Sequence, residues 1–368
     1  MKPRVLFVSR RIDTPLPESE RRRFAALRTE LDFRALAAGQ GDGAAELALR
    51  PEPRVLAGPA FYAGLPARIK RELNEFRPHA VVVQGAHETA AVLTARKLAR
   101  SRAAVIADVH GDFRAPTRLY GSRLRALLNP VADRVAVAAL RRADGVRTVT
   151  RYTTELVRAL GIEPADEFPA YMDFATFLER PPAPLPDRPQ ALFVGVLERY
   201  KNLDGLAAAW RAVARRVPQA RLRIIGSGAL ARVVRRLLDD LPEQTAWDPQ
   251  LAPPEVAAAL DDSTCLVLPS RSEGMGRVVI EAFCRGRAVI GSRVGGIPDL
   301  VDEDVNGLLV APDDGNALEG ALLRLLSEPA LADRLGAGAH ASAALWTISA
   351  DEFAQRLRAL VEQVAGLS

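Results

Sequence analysis

Cysteine is scarce in this chain: Cys265 and Cys284 are the only two thiols among 368 residues. Both lie within apolar runs, TCLVL and EAFCR, where a reduced thiol packs like a small hydrophobic side chain. Disulfide-rich scaffolds and cysteine-ligated metal centres need more cysteines at closer spacing. We therefore expect two free, buried thiols and a fold held by an ordinary hydrophobic core.

Aromatic residues and long apolar runs are also few. Aromatic residues make up 5% of the chain and are not interleaved with the basic ones, which disfavours a surface that stacks nucleic-acid bases. No stretch approaches the roughly 20 apolar residues of a membrane span. The apolar run in MKPRVLFVSRR is too short for the core of a signal peptide. We predict a cytoplasmic protein that binds no nucleic acid.

The charge balance is mildly basic, with a net charge of +5. Such a balance suits anionic ligands such as nucleotides, or weak peripheral contact with the anionic inner face of a membrane. Arg10, Arg11 and Arg21–Arg23 form a basic cluster near the N-terminus, and residues 117–142 are also rich in arginine. These side chains would receive an anionic acceptor or a phospholipid surface, although a solvated charged face is the commoner explanation.

Short β-rich runs alternate with helical patterns, which is typical of parallel α/β domains. The clearest of these runs are RVLFVS (4–9), HAVVVQ (79–84), AAVIADV (103–109), DGVRTVT (144–150), ALFVGV (191–196), RLRIIG (221–226), TCLVLPS (264–270) and AVIGS (288–292). The segment PPAPLPDRPQ interrupts the alternation, and its five prolines predict a stiff linker at 181–190. We predict one domain at 1–180 and another at 191–347. The amphipathic C-terminal helix within 348–368 should pack back toward the first domain.

The segment from Ser270 to Val301 has features of an anion site. A predicted strand ends at Ser270, the loop Glu273-Gly274-Met275-Gly276 follows, and a helix begins near Arg277. Glycines before a helix let the backbone approach a ligand closely and leave N–H groups pointing at it. The helix dipole alone stabilises an anion there by about 0.3–2 kcal/mol. A diphosphate fits such a site.

Glu281 is an unusual residue because it lies within the apolar run VVIEAFC. A partly buried carboxylate is costly unless it is paired or hydrogen-bonded. The vicinal hydroxyls of a ribose would supply two donors to it. A second explanation is an ion pair with Arg277 or Arg285, each one helical turn away. From the residues alone, both explanations stay open.

The motifs together resemble the retaining glycosyltransferases of family 4, whose fold is called GT-B. The resemblance rests on E-x7-E from Glu273 to Glu281, GGIPDLV at 295–301 and NGLLV at 306–310. It continues through VGVLERYKNLDGL at 194–206. It implies two Rossmann-like domains with parallel sheets facing a central cleft, and transfer of a sugar from a UDP- or GDP-sugar to a glycan, lipid or small-molecule acceptor. It implies no metal or other cofactor.

The resemblance also assigns roles to residues of the second domain. Glu273 holds hydroxyls of the donor sugar, Glu281 holds the ribose, and the backbone N–H groups of Gly274, Met275 and Gly276 face the sugar and diphosphate. Lys201 matches the lysine that neutralises the leaving diphosphate. The arginine of the family is replaced by Val196 here, and Arg199 is our nearby substitute for it.

Further residues are expected around the donor. The resemblance places His110, at the end of AAVIADV, against the reacting sugar; a hydrogen-bonded loop histidine is the alternative. Gly226 and Gly228 are expected to border the nucleotide, although a tight turn explains this glycine pair equally well. Gly295 and Gly296 are expected to form a close-approach turn beside the donor, and Trp247 to lie near the base. For Trp247, packing in the core is the commoner explanation.

Two departures from the family pattern keep other functions open. The loop after the first strand, SRRIDTPLPESERRR, lacks the glycine pair of many relatives, and Val196 lacks the arginine. A nucleotide-binding protein with a decayed active site is therefore an alternative, as is another enzyme of the same fold, an epimerase or a phosphorylase. The sequence Asp302-Glu303-Asp304 resembles a metal-binding D-x-D motif of a different fold, and we expect a surface turn there instead.

Overall fold

The computed structural model describes residues 1–12, 15–38, 47–50, 57–114 and 123–367. Two compact units make up the chain. The first contains Met1–Tyr171 together with Ile348–Ser368, and the second contains Met172–Thr347. Each unit has its own parallel sheet and its own hydrophobic core.

The first unit is built on a parallel sheet with strand order β3-β2-β1-β4-β5-β6-β7. Its strands are β1 (Arg4–Arg11), β2 (Asp32–Ala38), β3 (Leu47–Arg50), β4 (Ala80–Gln84), β5 (Ala104–Val109), β6 (Gly145–Thr148) and β7 (Asp166–Glu167). Its helices are α1 (Glu18–Glu30), α2 (Ala57–Glu75), α3 (Ala86–Ala99), α4 (Arg123–Leu140), α5 (Arg151–Arg158) and, at the end of the chain, α14 (Ala350–Ala365). In β4 the four residues before Gln84 are apolar and buried, because parallel sheets are covered on both faces.

The second unit has strand order β10-β9-β8-β11-β12-β13. Its strands are β8 (Gln190–Val194), β9 (Arg221–Ile225), β10 (Thr245–Asp248), β11 (Cys265–Leu268), β12 (Ala288–Ser292) and β13 (Gly307–Val310). Its helices are α6 (Ala175–Leu178), α7 (Leu203–Arg216), α8 (Ala231–Asp240), α9 (Pro253–Asp261), α10 (Arg277–Cys284), α11 (Ile297–Leu300), α12 (Gly315–Ser327) and α13 (Pro329–Ala343). Both cysteines are free and fully buried in this core, and burial raises the pKa of each thiol to about 12.

Helix α14 completes the core of the first unit although it follows the second unit in the chain. Phe353, Leu357 and Leu360 are buried in one cluster with Phe24 and Phe33 of α1 and β2. Its first turn is capped by the Ser349 hydroxyl, which accepts a hydrogen bond from the Glu352 N–H at 3.0 Å, and the helix ends at Gly366. The chain therefore passes between the units twice.

The proline-rich segment belongs to the second unit and is not the connection between units. Arg285 and Arg287 are each 2% exposed, and their guanidinium groups donate to the carbonyl oxygens of Pro181, Ala183 and Pro184 at 2.8–3.1 Å. Proline-rich backbone makes no ladder of its own, so its carbonyls are available to these donors. Our predicted linker at 181–190 and the domain boundary at 180 thus need correction, because the first passage between units lies at 171/172.

Candidate functional site

The candidate site of the second unit lies at the point where its strand order reverses. Strands β8 and β11 are neighbours in the sheet, but the chain reaches β9 and β10 on one side and β12 and β13 on the other. The loops that leave the carboxyl ends of β8 and β11 therefore diverge and open a crevice between them, where open α/β sheets bind ligands. Lys201 is on the first of these loops and Glu273 on the second.

Lys201 and Glu273 form an ion pair at this position. The Lys201 Nζ atom lies 2.5 Å from Glu273 Oε2, and the Ser270 hydroxyl is 3.4 Å from the same oxygen. Lys201 is only 7% exposed, at the end of a 3₁₀ turn, Arg199–Lys201, that precedes α7. Glu273 Oε1 receives no hydrogen bond from the part of the chain that the structure describes. One carboxylate oxygen is thus committed to lysine and the other is available to a ligand.

The loop from Glu273 to Gly276 is supported from behind by Gly295 and Gly296. A Cβ atom on Gly295 would lie 1.8 Å from the Glu273 carbonyl oxygen, and one on Gly296 would lie 2.2 Å from that of Gly274. The Gly296 N–H donates to the Gly274 carbonyl at 3.0 Å. These two glycines hold the backbone of the loop by close backbone contact.

The other candidate glycines also lie where the backbone turns sharply or approaches another segment closely. Gly276, with φ of 70°, is the residue before α10, so the loop enters the helix through a left-handed conformation. A Cβ atom on Gly226 would lie 1.9 Å from the Gly195 carbonyl oxygen, and one on Gly228 would lie 2.7 Å from that of Leu197. Gly226 and Gly228 therefore pack against the loop that leads to Lys201. Met275 is half-buried and packs against the core.

Glu281 is buried and paired with an arginine. The residue is 8% exposed, and the Arg277 Nε–H donates to its Oε1 atom at 2.8 Å. Burial raises the pKa of the Glu281 carboxyl above its ordinary value, and the Arg277 cation opposes part of that rise. The ion pair that the sequence left as a second explanation is present, with Arg277 as the partner. Arg285 instead donates to Asp261 at 2.8 Å.

Arg199 and Trp247 were both expected to contact the donor; in the structure, the first is exposed and the second contacts a neighbouring turn. The Arg199 side chain is exposed and makes no ion pair among the described residues. Its carbonyl oxygen accepts hydrogen bonds from the Arg271 guanidinium at 2.7 Å and from the Asn202 N–H at 3.2 Å. The Trp247 indole N–H donates to the Gly226 carbonyl at 2.9 Å. The Arg235 guanidinium lies 5.6 Å from the centre of the Trp247 ring, which is half-buried. Trp247 therefore contacts the turn beside the site and packs partly on the core.

In the first unit, His110 contacts a pair of charged residues, Asp108 and Arg147, that the sequence pattern did not single out. His110 Nε2 lies 2.8 Å from Asp108 Oδ2, and Arg147 donates to Asp108 Oδ1 at 2.6 Å. Burial alone would raise the pKa of Asp108, but Arg147 and His110 together hold it far below its ordinary value. The available signal was the same as for Glu281, a charged residue inside an apolar run: Asp108 in AAVIADV and Arg147 in DGVRTVT.

Within the basic cluster near the N-terminus, Arg21–Arg23 are paired with nearby glutamates. Arg21 and Arg22 pair with Glu18, at 2.7 and 3.4 Å, and Arg23 pairs with Glu20 at 2.6 Å. The side chains of Arg10 and Arg11 lie outside the described residues, as does much of 117–129. Arg21–Arg23 thus have the solvated charged face that was the commoner expectation. Within the described ranges, no helix is both long and apolar enough to cross a membrane.

Asp302, Glu303 and Asp304 do not converge on a common point. Glu303 pairs with Arg293 at 2.7 Å, and Asp304 lies 3.4 Å from Arg324. Throughout the described part of the chain, no group of three or more histidine, cysteine or acidic residues is arranged to hold a metal ion. That the activity needs no metal stays a prediction, which solution experiments with a chelator can test.

Comparison with known proteins gives matches across most of the chain. The family model described as "Glycosyl transferase 4-like domain" matches residues 8–168, and the one described as "Glycosyl transferases group 1" matches residues 176–341. A curated relative from Mycolicibacterium smegmatis, a GDP-mannose-dependent alpha-(1-6)-phosphatidylinositol monomannoside mannosyltransferase, is 30% identical over 256 residues. That match covers 63% of this chain and 66% of the relative, just under two thirds of its length. Seven other curated relatives are matched over 23% to 62% of their lengths.

Solved structures match the fold over the whole chain. Sucrose-phosphate synthase from Thermosynechococcus elongatus has a TM-score of 0.79 at 20% identity and covers 100% of both chains. The Anabaena protein Alr3699/HepE in complex with UDP has a TM-score of 0.72 at 17% identity, and covers 98% of this chain and 100% of that one. At these identities the likeness is one of fold.

Proposed function

The chain belongs to glycosyltransferase family 4, with the GT-B fold, and we propose that it transfers a sugar from a nucleotide-sugar donor with retention of configuration at the anomeric carbon. The observation that carries this proposal is the Lys201–Glu273 ion pair at the strand-order reversal of the second unit. It combines a cation for a phosphate with a carboxylate for hydroxyl groups in one crevice. A nucleotide sugar needs both.

Lys201 is suited to the leaving diphosphate. As the bond between the sugar and the phosphate breaks, negative charge grows on the departing oxygen. A positioned donor aimed at such charge lowers a barrier by about 2.7–4 kcal/mol in comparable oxyanion sites. Lys201 is already oriented by Glu273 and buried to 7% exposure, so little rearrangement is needed when the charge forms. The first N–H groups of α10 and the exposed Arg199 would add to this field.

Glu273 and Glu281 are suited to the sugars of the donor. Glu273 Oε1 is available to accept a hydrogen bond from a hydroxyl of the transferred sugar while Oε2 stays on lysine. Glu281 offers Oε2 to the ribose, because Arg277 occupies only Oε1. Arg277 also favours the ionised carboxylate, which is the form that accepts two hydroxyl donors.

The proposal is tested with a panel of nucleotide sugars that includes UDP-glucose and GDP-mannose, because one structural neighbour is in complex with UDP and one curated relative is GDP-mannose-dependent. Release of free nucleotide is measured with sugar, inositol-phosphate and lipid acceptors, with and without EDTA. We expect one donor to turn over, at the same rate with the chelator, and NMR of the product to show the donor's anomeric configuration. Tight nucleotide binding without any turnover would instead identify a binding protein.

A further inference from the structure

We propose that Asp108 and Arg147 are positioning residues that keep the proton of neutral His110 on Nε2 and so leave Nδ1 free to accept a hydrogen bond. The placement of the proton rests on the first unit alone. Its consequence for catalysis rests on the proposed function. The three side chains form one continuous set of contacts, from a buried cation through a carboxylate to a half-exposed ring.

The carboxylate determines where the proton lies. Arg147 and His110 hold the pKa of Asp108 far below its ordinary value, against the effect of burial, so Asp108 is ionised and can only accept hydrogen bonds. Its Oδ1 atom accepts from Arg147 at 2.6 Å, and its Oδ2 atom lies 2.8 Å from His110 Nε2. A hydrogen bond at that distance requires a proton on Nε2. In the neutral ring, Nδ1 then carries none.

Asp108 itself is held in a fixed position. Asp108 and Arg147 are direct partners in the register of β5 and β6, so their side chains leave the sheet side by side. Arg147 is 1% exposed and donates to the carbonyl oxygens of Phe168 and Pro169, each at 2.9 Å. Its guanidinium also lies 3.9 Å from the centre of the Phe168 ring. The cation therefore has little freedom, and neither has the carboxylate that it binds.

This arrangement specifies the kind of group that His110 can meet. A free Nδ1 atom accepts a hydrogen bond from a hydroxyl and gives none to a carbonyl or a phosphate. The ligand group is therefore a hydrogen-bond donor, and for the proposed sugar transfer that donor is a sugar or alcohol hydroxyl of the substrate. The His110 ring is 34% exposed, so a ligand can reach it.

The proton position is measured by ¹⁵N NMR of the histidine rings in the full-length protein without substrate. The chain has four histidines, and His110→Gln assigns the signal. We expect the neutral ring of His110 to carry its proton on Nε2. Asp108→Asn, in which the amide can also donate, should give a mixture of both tautomers. A wild-type ring protonated on Nδ1, or an unchanged spectrum in Asp108→Asn, would overturn the proposal.

Kinetics then test the consequence for catalysis. Asp108→Asn should lower kcat by about 10- to 100-fold, as loss of a ligand-orienting carboxylate does elsewhere, with little change in the donor KM. The matched control is Asp144→Asn: Asp144 binds Arg96 and accepts from the Val105 N–H at 2.7 Å, at the opposite end of β5. An unchanged kcat in Asp108→Asn would contradict the positioning role. If the tautomer is as stated but no donor turns over, the proposed function fails and the proton assignment stands.

Discussion

Lys201 and Glu273 are 72 positions apart in the chain, yet the lysine Nζ lies 2.5 Å from the glutamate Oε2. Strands β8 and β11 are parallel neighbours in the sheet, so the loops that follow them begin side by side at the same edge, and this brings the two residues together. Each side chain sets the position of the other before any ligand arrives.

Removing the cation should impair transfer. Lys201→Ala is expected to lower kcat/KM by about 100- to 1000-fold, because the leaving diphosphate loses a positioned donor. The assay is nucleotide release from the donor identified in the panel. Lys97→Ala changes an exposed lysine near the end of α3 and should leave the rate unchanged. A Lys201→Ala enzyme with full activity would remove this residue from the mechanism.

The loop that carries Glu273 should not tolerate a side chain at Gly295, which packs against its backbone. In Gly295→Ala the new atom would lie 1.8 Å from the Glu273 carbonyl, so the loop must move and donor affinity should fall. The matched control is Gly320→Ala inside α12, where no atom lies within 4 Å of the added Cβ. That change should stabilise the helix by about 0.8–1 kcal/mol. Thermal melts with and without nucleotide distinguish the two variants; equal nucleotide-induced shifts would refute the supporting role.

The Arg277–Glu281 pair should give a pH-dependent stability. Burial raises the pKa of Glu281, so its contribution to stability is present below the unfolded pKa and is lost as pH rises through the folded pKa. Arg277→Met leaves the ionised carboxylate without its cation. It should lower the free energy of unfolding by about 1–3 kcal/mol at neutral pH, and by less near pH 4, where carboxyl groups take up protons.

Two variants control that measurement by denaturant unfolding. Arg151→Met breaks a pair with Glu155 at the same helical spacing, but both side chains are more than half exposed, so little effect is expected. Arg277→Met combined with Glu281→Gln should lose the added dependence on pH. Equal destabilisation by Arg277→Met at both pH values would show that Glu281 is not the group involved.

The two thiols should be unreactive in the native protein. Cys265 and Cys284 are fully buried, and burial raises the pKa of each to about 12, so the thiolate is scarce at pH 8. A thiol-specific chromogenic reagent should label neither until guanidinium unfolds the chain, after which both should react. Rapid native labelling would show that the core of the second unit opens locally.

The sequence predicted those parts of the fold and site that depend on local pattern. The alternation of strands and helices indicates two parallel α/β units, and the spaced motifs lead to Glu273, Glu281 and Lys201. Asp108 and Arg147 were missed because their contact depends on the register of β5 against β6, which no spacing along the chain reveals. Their one local signal, a charge within an apolar strand, does not name a partner.

The boundary between the units depends on tertiary contacts for a similar reason. Proline content indicates that the segment forms neither helix interior nor central strand. This holds for residues 181–189, whereas Gln190 begins the central strand β8. Proline content does not say which unit holds the segment. Arg285 and Arg287 decide this by binding the segment's carbonyls more than 100 positions away. For Glu281, pattern alone allowed either of two arginines, and the direction of each side chain decided for Arg277.

The discontinuous make-up of the first unit has a consequence for its biosynthesis. Because α14 supplies Phe353, Leu357 and Leu360 to that core, the first unit lacks part of its interior until α14 has left the ribosome. The second unit is continuous, from Met172 to Thr347, so its strands β8 to β13 are all synthesised before α14. In a nascent chain released just before Ile348, the second unit should therefore resist protease, whereas the first unit, although it is made earlier, should be cleaved.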